Sequence, residues 1–199
     1  MENDHMKTKF LASLATAALL SLAPASANAA DTYKLDPTHT TVIWSAEHFG
    51  FSTPHGLFPL IEGTLVLDEA APENSKIDVT IPLDKLATGI PKFDEHLKSK
   101  DFFNVEKFPA LTFKSKDLEF KGDKLAAVKG NLTLLGVTKP VTLTVTHFHG
   151  GKSPMTGKDT YGANAVATIK RSDFGMMTYL PGISDEVKLN LVIEASKAD

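Results

Sequence analysis

The sequence predicts an all-β domain: an antiparallel β-barrel of about eight strands, with one short helix over residues 91–103 covering an end. Three observations predict it. Apolar and polar residues alternate with period two along most of the chain, as half-buried strands require. Clusters of Gly, Pro, Asn and Asp punctuate the alternating runs. Strands do not alternate with helices, so the crossovers that a parallel sheet needs are missing and neighbouring strands must pair antiparallel. Closing such a sheet on itself removes its exposed edges.

Taken in order, the first 29 residues read as an export signal. Lys7 and Lys9 precede an apolar run from Phe10 to Leu22, Pro24 breaks it, and Ala27-Asn28-Ala29 has the small-x-small pattern of a cleavage site after Ala29. The run falls short of the ~20 apolar residues of a spanning helix. Glu2 and Asp4 are unusual ahead of a basic region and leave both Met1 and Met6 open as the start of translation. Cleavage would remove 29 of 199 residues and leave 170, residues 30–199, which suit one domain with a sizeable core. The segment removed holds two acids and two lysines, so the net charge stays at −3.

Strands follow. Val42, Trp44, Ala46 and His48 share one parity of the run from Thr41 to Phe49. Leu65 and Leu67 mark the next strand, and Ile77, Val79, Ile81 and Leu83 alternate with Asp78, Thr80, Pro82 and Asp84. From Pro91 the spacing turns helical: Pro91 suits the first helical position, and Asp94 and Glu95 at the start and Lys98 and Lys100 near the end complement the helix dipole. Phe93 and Leu97 are four apart and share a face. Strand signals resume at Leu111 and Phe113, at Val128 and Leu132, at Val141, Leu143 and Val145, at Ala163 to Ile169, and at Val187, Leu189, Leu191 and Ile193. Residues 150–160 are polar and read as a loop. Ala46, Ala163, Ala165 and Ala167 fall on inward parities, where small side chains leave room inside a barrel.

Composition excludes several functions. A mildly acidic chain lacks the electrostatic footprint of a nucleic-acid binder, and no dense Lys/Arg cluster or long apolar run points to stable membrane insertion. With no cysteine there is no disulfide, thiolate metal site or cysteine nucleophile. Asp173-Phe174-Gly175 spells a kinase triplet without the rest of a kinase, and no serine sits in a Gly-x-Ser-x-Gly elbow. No nucleophile, base and orienting group assemble, so no catalytic residue is assigned. His147 and His149 are two apart on a strand and would point the same way, which makes a metal-binding barrel one alternative function, although no third ligand is fixed by spacing. A lipid-modifying or hydrolytic enzyme using the same interior is the other. His48 reads either as a hydrogen-bonded core histidine or as a polar contact for a ligand, with Trp44 as an apolar wall.

A family resemblance rests on a series of short blocks: Asp36-Pro37-Thr38-His39-Thr40, Gly56-Leu57-Phe58, Phe93-Asp94-Glu95-His96-Leu97-Lys98-Ser99, and Asp101-Phe102-Phe103-Asn104-Val105-Glu106. Phe108-Pro109 and Thr112-Phe113 come next, then the most recognisable block, residues 130–141 (GNLTLLGVTKPV), then Arg171-Ser172-Asp173-Phe174-Gly175 and Asp185-Glu186-Val187. In order and spacing the chain resembles the YceI-like family of periplasmic proteins, whose members have a lipocalin-like barrel and bind polyisoprenoid lipids. Thr40 stands where the family opening has Ser, and Leu135 where many members carry a histidine.

The resemblance implies non-catalytic binding of a polyprenyl or quinone-like lipid in a periplasmic barrel that acts as carrier, store or sensor, with that lipid in place of any cofactor, no metal, and a homodimer as a possible assembly. It carries over no catalytic residue. Inward parity and aromatic position nominate the ligand contacts. From the early strands these are Val42, Trp44, His48, Phe51 and Phe58; from the helical region, Phe93, Leu97, Phe102 and Phe103; from later strands, Phe113, Leu143 and Val145.

Overall fold

A computed structural model describes residues 30–68, 70–122 and 124–199. The expected export signal, residues 1–29, lies outside the described residues. The described residues form ten strands: β1 (Asp31–Leu35), β2 (Thr41–His48), β3 (His55–Phe58), β4 (Glu62–Leu67), β5 (Lys76–Pro82), β6 (Ala110–Lys121), β7 (Lys124–Leu134), β8 (Val137–Lys152), β9 (Asp159–Lys170) and β10 (Ile183–Lys197). The one α-helix among the described residues, α1 (Pro91–Lys98), lies between β5 and β6.

Eight strands close an antiparallel barrel in the order β1-β4-β5-β6-β7-β8-β9-β10, with β10 returning to β1. The seam is short: Tyr33, Lys34 and Leu35 pair with Lys197, Ser196 and Ala195. Along the rest of that edge of β10 lies β2, from Ile183 opposite His48 to Val192 opposite Thr41. β3 pairs on the outer side of β2. Instead of joining β4, it meets the segment after β5, where Leu57 and Ala87 exchange two backbone hydrogen bonds. β2 and β3 therefore continue the wall beyond the short seam, and they are the two strands beyond the barrel of eight.

Alternation fixes which side chains point inward. On β10 the inward set is Val187, Leu189, Leu191 and Ile193, and on β5 it is Ile77, Val79 and Ile81. Most of these are only half-buried although they face the interior. The reason is that the interior is hollow. Leu118, Phe120, Leu125, Phe148 and Tyr161 crowd one end. Tyr33 meets Tyr161 edge-on at 5.1 Å, and Phe148 stacks on it at 5.7 Å.

The opposite end carries α1. Pro91 opens it, and the Asp94 carboxylate reaches back to accept hydrogen bonds from the Thr88 N–H (2.7 Å) and hydroxyl (2.6 Å), placing a negative charge in the first turn. The helix is shorter than the sequence predicts. It stops at Lys98, because Ser99 turns extended and accepts backbone hydrogen bonds from Phe102 and Asn104, starting a run of tight turns. Phe102 and Phe103 therefore act from a turn instead of a helix face.

Candidate functional site

The site is the hollow itself, a cavity of about 640 Å³ running from the aromatic floor to α1. Its wall is almost wholly aliphatic and aromatic. Eleven of the twelve sequence-nominated residues line it: Val42, Trp44 and His48 from β2, Phe58 from β3, Phe93 and Leu97 from α1, Phe102 and Phe103 from the next turn, and Phe113, Leu143 and Val145 from the far wall. Ala46, Ala163 and Ala165 also face in, and their small side chains keep the lumen wide.

Phe51 is the exception. The chain reverses tightly after β2, with the His48 N–H donating to the Ser52 carbonyl (2.8 Å) and the Phe51 N–H to the His48 carbonyl (3.0 Å). This puts Phe51 at the tip of the turn, 90% exposed and away from the cavity.

Trp44 is the one tryptophan of the chain and sits 8% exposed in the wall. Its indole lies across Gly56, its partner on β3: a Cβ there would stand 2.6 Å from Trp44 Cζ2. Phe93 packs edge-on against it at 6.4 Å, and Phe103 does the same to Phe58 at 5.6 Å. Helix and strands thus form one aromatic wall. The buried Trp44 Nε1 has no hydrogen-bond partner among the described residues.

Five lining residues are exposed, and they locate the mouth. His48 ends β2, Phe49 and Ser52 belong to the β2–β3 turn, His96 to α1, and Tyr179 to the loop before β10. The helix is therefore one lip of an opening and not a complete lid. His96 packs against Phe102 at 5.0 Å and Tyr179 at 6.2 Å, tying two of the three lips together. Thr178 Oγ1 adds a hydrogen bond to the Asp101 carbonyl (2.7 Å).

Arg171, which the sequence did not nominate, holds the third lip. It is 3% exposed and spends its guanidinium on backbone carbonyls: Nε on Ser184 (2.9 Å), Nη1 on Met176 (3.0 Å) and Thr178 (2.9 Å), Nη2 on Ile183 (2.9 Å). Burial pulls its pKa below the ordinary arginine value, while the Asp185 carboxylate opposes that shift. Asp185 itself accepts from the Ser172 N–H (2.9 Å) and hydroxyl (2.8 Å), which hold its carboxyl below the usual range. Arg171 braces the loop and is not a free catalytic or anion-binding group. Phe148 and Tyr161 were also missed, although an aromatic between two histidines was a signal that parity would change there.

His147 and His149 do not converge on the cavity. A bulge between Val145 and His147 shifts the register of β8, so Phe148 takes the inward position and both histidines stand exposed outside. Among the described residues, the group of His, Asp and Glu whose ligand atoms approach within 4.8 Å of one another is Asp36, His39 and Glu194, outside the cavity. Asp36 Oδ2 lies 2.7 Å from His39 Nδ1, and Asp36 Oδ1 accepts from the Thr38 hydroxyl and N–H. Bonds from Thr38 first and His39 next bring the Asp36 carboxyl down to about 2, and the Asp36 bond raises the His39 imidazole above its ordinary value.

A family model for the YceI-like domain matches residues 33–195. Protein YceI of Salmonella arizonae is 40% identical over 181 residues, covering 90% of this chain and 93% of that protein. The YCEI protein of Campylobacter jejuni superposes with a TM-score of 0.66 at 30% identity, over 77% of this chain and 90% of that one. A polyisoprenoid binding domain from Saccharophagus degradans shares the fold, with a TM-score of 0.63 at 16% identity over 83% of this chain and 98% of that one.

Proposed function

The chain belongs to the YceI-like family, and on that premise we propose that it binds a long apolar isoprenoid lipid, polyprenyl or quinone-like, non-covalently inside the barrel. The observation that carries this is the apolar cavity of about 640 Å³ with a single cluster of exposed lining residues at one end. Its size falls within the range of small-molecule sites, roughly 300–1,000 Å³. The polyisoprenoid binding domain of the same fold supports the same class of ligand.

At roughly 30 Å³ per heavy atom, the share of a molecule in liquid water, the cavity admits about 20 carbons, or four isoprene units. Burying them at ~0.8 kcal/mol each is worth ~16 kcal/mol against water, less the cost of ordering the chain. A bilayer offers nearly the same apolar environment, so exchange between membrane and barrel is close to neutral. Loading and release are then both accessible, as a carrier, store or sensor needs. A longer ligand would project through the mouth, where His48, Ser52, His96 and Tyr179 offer polar contacts.

The protein acts as a binder and not an enzyme in this reading. The cavity's buried charge, Arg171, is committed to backbone carbonyls, and the Asp36–His39–Glu194 group lies outside the lumen. The expected export signal would deliver it to the periplasm.

The test is organic extraction of the purified protein followed by mass spectrometry, paired with titration of lipid-stripped protein by a prenyl alcohol of about 20 carbons, read by Trp44 fluorescence. A stoichiometric prenyl or quinone species and a saturable change in Trp44 emission are expected. An empty protein whose tryptophan ignores added prenyl lipid would overturn the proposal. Trp44→Asp, if folded, should lose retained lipid.

A further inference from the structure

The lipid-binding reading leaves open how the barrel meets the membrane in which such a ligand dissolves. On that reading we propose that the mouth end is a bilayer-docking surface, which inserts Phe51 and Met177 into the lipid interface with Phe49 and Tyr179 beside them.

Large exposed apolar residues gather around the opening. Phe51 is 90% exposed at the tip of the β2–β3 turn, Met177 is 58% exposed in the loop before β10, and Phe49 and Tyr179 are about half-exposed on the same two elements. Phe49 and Tyr179 also line the cavity, so the patch is continuous with its mouth.

The tips are held out by backbone structure. Phe49 and Gly50 both take positive φ, 52° and 72°, and the turn they make is locked by the His48–Ser52 and His48–Phe51 bonds. The Phe49 N–H donates to the Gly182 carbonyl at 2.6 Å, and its ring occupies the space a Cβ on Gly182 would need. Arg171 fixes the Met177 loop from beneath. Phe51 therefore protrudes from a rigid support instead of hanging from a loose loop.

Separate tips on two elements suit a fluid better than a protein. A specific protein partner needs a complementary face of about 800 Å², whereas a bilayer closes around each protrusion. Tyr179, His48 and His96 bring polar-tipped rings to the same mouth, with His96 6.2 Å from Tyr179, and such side chains favour the water–lipid boundary. Charges on or next to the lip elements in sequence are mixed: Lys92, Lys98 and Lys100 on and after α1 are offset by Glu47 at the end of β2 and by Glu95 and Asp101. Docking should then be driven by apolar insertion and show little dependence on anionic lipid or salt.

The experiment is flotation of the mature protein with phosphatidylcholine vesicles and with phosphatidylethanolamine–phosphatidylglycerol vesicles, at low and high salt. Phe51→Ser/Met177→Ser is compared with Met155→Ser, a 94% exposed residue in the β8–β9 loop at the other end. All three side chains are exposed, so these variants keep the fold. Wild type and Met155→Ser should partition equally onto both vesicles, and the double variant at least tenfold less, the change expected for losing one large buried apolar group. Prenyl alcohol supplied from solution should still titrate Trp44 in the double variant, while uptake from vesicles slows. Equal partitioning of the double variant, or binding confined to anionic vesicles and lost in salt, would overturn docking by insertion. So would a concentration-dependent dimer in sedimentation that the double variant abolishes, since the patch would then face a second copy. Absence of vesicle binding with normal Trp44 titration would refute docking and leave lipid binding standing.

Discussion

Ala163→Phe should raise the stability of the lipid-free protein and lower its affinity for a long ligand. Ala163 sits on β9 between Phe148 and Ile193, faces the cavity and is only half-buried, so open space stands in front of it. The substitution adds six carbons, about 180 Å³ at roughly 30 Å³ each, against the 640 Å³ available. In a filled core such an insertion costs about 1–3 kcal/mol. Here the ring enters a hollow and gains apolar burial, about 1.5 kcal/mol at the low end for a large side chain. For a chain of this size that is a rise in Tm of roughly 3–6 °C. A ligand that fills the cavity loses room for about six carbons, up to ~5 kcal/mol of burial from water, or about three orders of magnitude in Kd. A ten-carbon prenyl alcohol should be affected far less than a twenty-carbon one, in proportion to the carbons displaced. Thermal unfolding of stripped protein and Trp44 titration with both alcohols measure the two effects. A variant that melts earlier and binds the longer alcohol unchanged would show that the lumen is closed in solution and that lipid binds elsewhere.

Gly56→Ala should disturb Trp44 selectively: the new Cβ would stand 2.6 Å from its ring, costing about 1–3 kcal/mol and shifting Trp44 emission, and unchanged emission would refute the stacking. Arg171→Met strips the donors from four carbonyls and should cost about 3 kcal/mol or more in urea unfolding, with faster amide exchange over 175–182. Arg171→Lys should recover only part, lacking the fork; full recovery would contradict the brace. Asp36 titrates near 2 when folded against 3.8 ordinarily, so its contribution to stability is present above pH 3.8 and lost as pH falls through about 2. The raised His39 acts in the opposite sense: its contribution is present below pH 6.5 and lost as pH rises through its folded pKa. Asp36→Asn should lower the His39 midpoint toward 6.5 in an NMR titration, and an unchanged midpoint would dismiss the pair.

Side-chain direction was legible in the sequence wherever strands are regular. Val42, Trp44, Leu143 and Leu191 face inward because the parity of a strand cannot drift while its ladder is unbroken. Parity does not carry across an interruption of the ladder. The bulge before His147 turns both histidines out and Phe148 in, and the tight reversal at Phe49–Gly50 throws Phe51 outward. The helix ended early because Ser99 and Asn104 prefer local turn hydrogen bonds, and the Phe102–Phe103 pair could be read equally as a helical face. The hollow was only hinted at by the alanines, since parity reports which way a residue points and not how far away the opposite wall stands. Arg171 was illegible for a related reason: its four partners are backbone carbonyls of residues 176–184, which no side-chain pattern encodes.

The seam also has a kinetic meaning. Tyr33 to Leu35 meet Ala195 to Lys197, and Lys197 Nζ bonds the carboxylate of Asp31, 166 residues away, at 2.6 Å. Pairings among β1 to β9 can form while the chain is still being produced, but this junction, like the ladders of β10 with β9 and β2, must wait for the last strand. Until then the molecule is a curled ribbon with two raw edges and an oily concave side. Folding dominated by such distant pairing is slow, on the scale of milliseconds to seconds, so the open ribbon should be the species that a holdase meets. Shaving β10 back past Ala195 should trap that ribbon and yield an aggregating chain in place of a slightly shorter barrel.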